Sequence, residues 1–227
     1  MTTTTTARSA RTLTTPSPSS VRPAALTTGA GGLLLGAGGQ LHPRGSGATV
    51  DAYLSSMLGD PGWATSHVLL LAGTVTTTIG LALLRRSGAT GPRVAPWLLA
   101  AVVGWAVAAL ELVPHLFAVN DAEALAHHGD TPVLDLHLLA QVVATPALGL
   151  TAAALAVAVA RAAGTWPARL LAVPGVLGGL GYAAAGPLVA TTHDLAVTPL
   201  FALQAGVAVW LVGTAVRLLA GRRAPAA

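Results

Sequence analysis

Long apolar runs alternate with short polar connections along the whole chain. The runs cover approximately residues 24–41, 63–84, 95–118, 132–160, 170–190 and 199–220. A helix needs roughly 20 apolar residues to cross a hydrocarbon core about 30 Å thick, so each run is close to a membrane span or exceeds one. The fourth is long enough to tilt or to project beyond the core. The pattern therefore predicts an all-α fold, a six-helix transmembrane bundle over residues 24–220. A Thr/Ser/Pro-rich tail, residues 1–23, precedes it and a short tail, residues 221–227, follows it. The first tail has too little apolar surface to offset the entropy of ordering, so it is expected to be disordered. Its arginines before an apolar run give the outline of a signal peptide, but no A-x-A site follows, and a retained first span is expected.

Composition supports the bilayer as solvent. Hydrophobic residues make up 53% of the 227 and charged residues 9%, against about 25% charged in a soluble domain. With no cysteine, disulfides, thiolate metal sites and cysteine nucleophiles are excluded. The formal charge of +4 comes with twelve basic residues, all arginine. They lie in separate connections and not in a stripe with interleaved aromatics, so nucleic acid is not an expected partner.

Charge placement predicts orientation. Arg8, Arg11, Arg22, Arg85, Arg86, Arg93, Arg161, Arg169, Arg217, Arg222 and Arg223 all fall at one end of a six-span bundle, and only Arg44 falls at the other. By the positive-inside rule, both termini are cytoplasmic in a multi-pass protein of the plasma membrane. The acidic residues and histidines then gather at the outer end. Trp63 outside, with Trp97 and Trp166 inside, would form interfacial belts. Trp105 and Trp210, in mid-span, are expected to pack against neighbouring helices.

The outer end carries a faint threefold repetition. Asp60-Pro61, Thr131-Pro132 and Thr198-Pro199 each pair an N-cap residue with a proline suited to a first helical turn. His67, His137 and Gln204 follow at similar depth, while His42, His115 and His193 close the preceding runs. Three related helical hairpins would place these groups together, as repeats in membrane proteins place shared sites at their interfaces. Gly32-xxx-Gly36 and Gly175-xxx-Gly179-xxx-Ala183 form small-residue seams, suited to close helix packing or to a homo-oligomer.

The middle copy holds the candidate chemistry. Glu111 and His115 are four apart on one helical face, and Pro114 favours a kink by leaving the carbonyl of Leu110 without a donor. A carboxylate inside an apolar span is costly unless paired, protonated or wetted. Imidazoles suit Zn, Cu, Fe and Ni. The expected ligand set is His42, His67, Glu111, His115, His137 and His193, with Asp135 and Gln141 as supporting hydrogen-bond partners. Zn is the default metal, serving sensing, transport or metal-assisted hydrolysis. The alternatives are a haem between two of His42, His67, His115 and His137, or interfacial histidines in a scaffold or small transporter without a cofactor. His127 and His128 are expected to be solvated. The glycine clusters follow no strand and do not predict nucleotide binding, and neither H-E-x-x-H nor a G-x-S-x-G elbow is present.

LHPRG after the first run and DPGWATSHVLLLAG opening the second resemble a family of small multi-pass membrane proteins of high-GC actinobacteria, of unknown function. The resemblance covers residues 24–90 and implies an integral plasma-membrane protein without a catalytic residue to carry over. The three-His-plus-acid zinc sites of seven-helix adiponectin receptors and alkaline ceramidases are a looser comparison. Six predicted spans and the lack of their fuller motif set set this chain apart.

Overall fold

The computed structural model describes residues 18–221. Within them the chain forms helices α1 (Pro18–Leu41), α2 (Val50–Leu58), α3 (Trp63–Ser87), α4 (Ala95–Phe117), α5 (Ala122–Ala126), α6 (Pro132–Ala163), α7 (Trp166–Thr192), α8 (Pro199–Ala202) and α9 (Gln204–Ala220), and no strand. Residues 1–17 and 222–227 of the two expected tails lie outside the described residues. Residues 18–23, expected in the first tail, belong instead to α1, where Val21 is buried.

Six long helices close a ring in the order α1, α3, α4, α6, α7, α9 and back to α1. Neighbours run antiparallel. Gly31 of α1 lies against Thr77 of α3 and Gly38 against Leu70, while Gly29 meets Ala215 of α9 and Gly36 meets Ala208. The fold is an all-α membrane bundle. Five segments are long and apolar enough to cross a membrane: Trp63–Ser87, Ala95–Ala126, Pro132–Ala163, Trp166–Thr192 and Leu195–Ala220. The sixth expected span, α1, is long enough, but its glycines and threonines dilute its hydropathy. Close packing compensates, because α1 sets its small residues directly on the backbones of α3 and α9.

The glycine seams are consumed within the chain. A Cβ at Gly73 would lie 2.7 Å from the Leu35 nitrogen, and one at Gly175 2.9 Å from Trp210 Cβ. At Gly149 it would collide with the carbonyl of Gly179. Small residues bring helices near enough for dispersion to act over whole faces, which is the main attraction available in lipid. Leu98, Trp105, Leu148, Leu155, Trp210 and Leu211 fill the ring's interior. Trp105 and Trp210 thus pack as expected, and Trp97 and Trp166 are exposed at the arginine-rich end.

At the opposite end the connections are ordered. The expected polar loop 42–62 contains α2, whose N-cap Thr49 accepts a hydrogen bond from the Ala52 amide at 3.2 Å. Leu58 of α2, Trp63, Ala118 and Leu134 make a second small core over this end. Trp63 is therefore not an interfacial belt residue; it is 2% exposed. The three expected N-cap–Pro openings also differ. Asp60 accepts from the Gly62 amide ahead of α3, and neither Thr131 nor Thr198 caps its helix through its side chain.

Gly149→Val should force α6 from α7 and destabilise the protein by about 1–3 kcal/mol, roughly 2–12 °C in Tm for a chain of this size. At Gly39 a Cβ meets nothing within 4 Å, so Gly39→Ala should leave the thermal midpoint in detergent within about 0.5 kcal/mol of the parent.

Candidate metal centre

Two turns of α4, the first turns of α3 and α6, and the residue after α1 bring five of the expected side chains into one cluster. Ligand atoms of His42, His67 and His115 lie within 4.8 Å of one another, as do those of Glu111, His115 and His137. Glu111 is 6% exposed, and His67 and His137 are buried.

Hydrogen bonds fix which ring nitrogens carry protons. A carbonyl can only accept. His67 Nδ1–H therefore donates to Trp63 O at 2.7 Å, and His42 Nδ1–H donates to Pro43 O at 2.8 Å. Each ring then keeps its lone pair on Nε2. Burial also pushes His42 below the ordinary imidazole pKa, towards its neutral form. Ser66 Oγ, which donates to Trp63 O at 2.8 Å, sits 3.1 Å from His67 Nδ1. The Trp63 indole stacks on His67 with ring centroids 3.8 Å apart, and its Nε1–H donates to Leu116 O at 3.2 Å. Neither Trp63 nor Ser66 is in the sequence-derived ligand set. The i,i+4 relation of Trp63 to His67 and the adjacency of Ser66 are the only sequence signals for them.

His115 faces a conflict. Its Nε2 lies 3.1 Å from His67 Nε2, and its Nδ1 lies 3.5 Å from Glu111 Oε1. A neutral ring has one proton. If Nδ1 carries it towards Glu111, two lone pairs oppose each other across 3.1 Å. If Nε2 carries it, an unprotonated Nδ1 faces a carboxylate. Either an imidazolium or a metal ion between the two Nε2 atoms satisfies both contacts. Nitrogens 2.0–2.1 Å from one tetrahedral zinc lie about 3.3 Å apart, close to the distance present.

The second group has different geometry. His137 Nδ1 is 2.5 Å from Glu111 Oε1. That is too short for two ligands of one ion and fits an N–H donating to a carboxylate. The His137 ring also stacks on His115, with centroids 3.8 Å apart. Glu111 thus ties α4 to α6 and orients two imidazoles. His42, His67 and His115 can hold a metal, and Glu111 supports His115 from behind.

The other expected residues stand apart from this cluster. His193 is exposed and ends α7 in a left-handed conformation with φ 51°, its amide donating to Val189 O at 3.0 Å. It acts as a C-cap. Asp135 is exposed and accepts from Thr131 Oγ1 at 3.2 Å. Gln141 is buried one turn beyond His137, and among the described residues no side chain bonds its amide. Gln204 begins α9 after a break at Leu203, so the third hairpin contributes nothing to the cluster. His127 and His128 are exposed, as expected.

Asp121, buried in the turn before α5, accepts from the amides of Val133 and Leu134 at 2.7 and 2.8 Å. It supplies the cap that Thr131 does not, and so sets the first turn of α6, from which His137 projects. No family model, curated protein or solved structure matches the chain.

Asp121→Ala should cost about 0.5–2 kcal/mol through the lost cap, and Asp121→Asn should recover most of it. Thermal unfolding of the two variants beside the parent provides the comparison.

Proposed function

We propose that the protein is a plasma-membrane metalloprotein whose outward-facing centre binds one transition metal ion, Zn by default, and activates water for hydrolysis. The observation that carries this reading is the 3.1 Å approach of His67 Nε2 to His115 Nε2, with Trp63 O and Glu111 taking the opposite nitrogens. His42, His67 and His115 are the ligands. Nδ1-anchored imidazoles behind a metal, one of them on a carboxylate, follow the usual supporting pattern of zinc sites. Three protein ligands leave a fourth position for water, whose pKa a zinc ion lowers to about 7. Glu111, on the Nδ1 side of His115, would orient that ring and raise its basicity towards the metal.

Three alternatives fit less well. A haem between axial imidazoles requires a slot the width of the macrocycle, whereas the His67 and His115 rings are 4.4 Å apart and the His115 and His137 rings 3.8 Å apart. Ion transport needs a path through the bundle, yet Leu98, Trp105, Leu148 and Trp210 fill the ring beyond the site. A scaffold would have no use for Glu111 at this depth, since a paired buried carboxylate still carries a desolvation cost.

The metal reading predicts one equivalent of Zn or another transition metal in detergent-purified protein by elemental analysis. Replacing His42, His67 or His115 by alanine should remove it, and His193→Ala should retain it. Glu111→Gln should weaken metal affinity about 10–100-fold without abolishing it. Metal-free protein whose composition is indifferent to these changes would refute the centre, and a Soret band would move the assignment to haem.

Both termini in the cytoplasm and the centre outside is the orientation that the arginine distribution supports. The cysteine-free chain permits a direct test. Asp130→Cys should react with an impermeant maleimide on intact cells, whereas Gly91→Cys should react only after permeabilisation.

A further inference from the structure

A groove of about 400 Å³ runs between α4 and α6, lined by Val107, Leu110, Glu111, Pro114, Leu136 and Ala140 and extending to Val143 and Ala144. Leu110, Leu136 and Val143 along it are exposed. It therefore opens sideways, on the surface that faces acyl chains, and is not open towards water. From Val107 to Pro114 it spans about 10 Å along the helix, and its volume is within the usual range for small-molecule sites.

Glu111 is the one ionisable residue in the lining. Its two short contacts, to His137 and His115, both use Oε1. Oε2 has no hydrogen-bond partner among the described residues, yet it is not among the sealed polar atoms that lack one. Glu111 lines the groove. Leu58, Trp63, Ala118 and Leu134 pack as a small core at the same end of the bundle. A carboxylate oxygen left without a donor in hydrocarbon is costly, so an occupant that donates to it is favoured, and one that carries a second carboxylate is repelled.

We propose that this groove takes a single-chain lipid with an uncharged, hydroxyl-bearing head, of the monoacylglycerol type. The acyl chain lies along Val107, Leu110, Leu136 and Val143, and a head hydroxyl donates to Glu111 Oε2. This names the substrate class of the proposed hydrolytic centre and rests on that reading for its chemistry. Binding itself requires only the groove and the carboxylate.

The test uses full-length protein in nanodiscs with a photoreactive monoacylglycerol bearing a diazirine in its chain, and the matching free fatty acid as control. Mass spectrometry should locate monoacylglycerol adducts on α4 and α6 beside the groove, at least 5-fold above the fatty acid. Ala140→Trp, which fills the groove from a half-buried position outside the metal ligands, should abolish this labelling while leaving metal content unchanged. Glu111→Gln should reduce the preference over the fatty acid. Adducts spread evenly around the bundle, or equal labelling by the fatty acid, would overturn the proposal and leave only ordinary boundary lipid. Metal content, measured on the same samples, reports separately on the centre, so either reading can fail alone.

Discussion

The structure at the histidine-bearing end depends on one buried carboxylate. Glu111 lies in an apolar helix, where an isolated charge would be expensive enough to expel the segment or to neutralise the group. Here it is held by Nδ1–H of His137 on α6 and faces Nδ1 of His115 on its own helix. The pairing has a structural consequence, since it pins α4 to α6 at a defined height. It has a chemical one as well, since a carboxylate behind His115 favours the ring proton on Nδ1 and directs Nε2 towards His67. The same contact that makes the charge tolerable therefore creates the two opposed lone pairs that call for a cation.

Precision at that cluster comes from how closely the ring of helices is packed. Glycines at the α1–α3, α6–α7 and α7–α9 crossings leave no room even for a methyl group. Such contacts fix relative height as well as distance, because a shift of one residue would bring a larger side chain against a facing backbone. The height of α3 beside α4 sets how His67 meets His115. The ring itself is uneven. α1 is the one of the six long helices that is not apolar enough to count as a membrane span on its own, yet it delivers His42 directly after its last turn. A side chain on so short a tether is positioned by the packing of α1 against α3, with Pro43 O holding its ring.

Much of this was legible in the sequence, for identifiable reasons. Long apolar runs have few structural solutions, so the all-α bundle follows from hydropathy and length. Glu111, His115 and His137 stand out because ionisable groups are rare in apolar runs and helical spacing shows which of them share a face. Other features depended on distant chain segments. Asp121 caps α6 from across a turn of irregular length, which no local N-cap pattern reveals. Trp63 has the profile of an interfacial residue, and only the folding of α2 over it makes it an interior one. The repeat placed His193 beside the others, but a histidine just past a helix end can equally adopt the left-handed cap, and there it does. The small-residue seams were readable as packing surfaces, although nothing in them says whether the partner is another helix of the chain or another copy.

Failure of the third hairpin to join the cluster makes the site asymmetric, and that asymmetry bears on its use. Three equivalent hairpins would place ligands from every side and close the coordination sphere, as structural metal sites do. In this chain α7 and α9 bring no imidazole, and the break at Leu203 separates Gln204 from the turn that would align it with His67 and His137. The clustered histidines therefore come from α3, α4 and the end of α1, with α6 supplying the partner of the carboxylate. A metal ion held there would be bound from one side of the ring, which would keep a coordination position free. Glu111 also lines the groove between α4 and α6, so the carboxylate stands between the histidines and that lipid-facing seam.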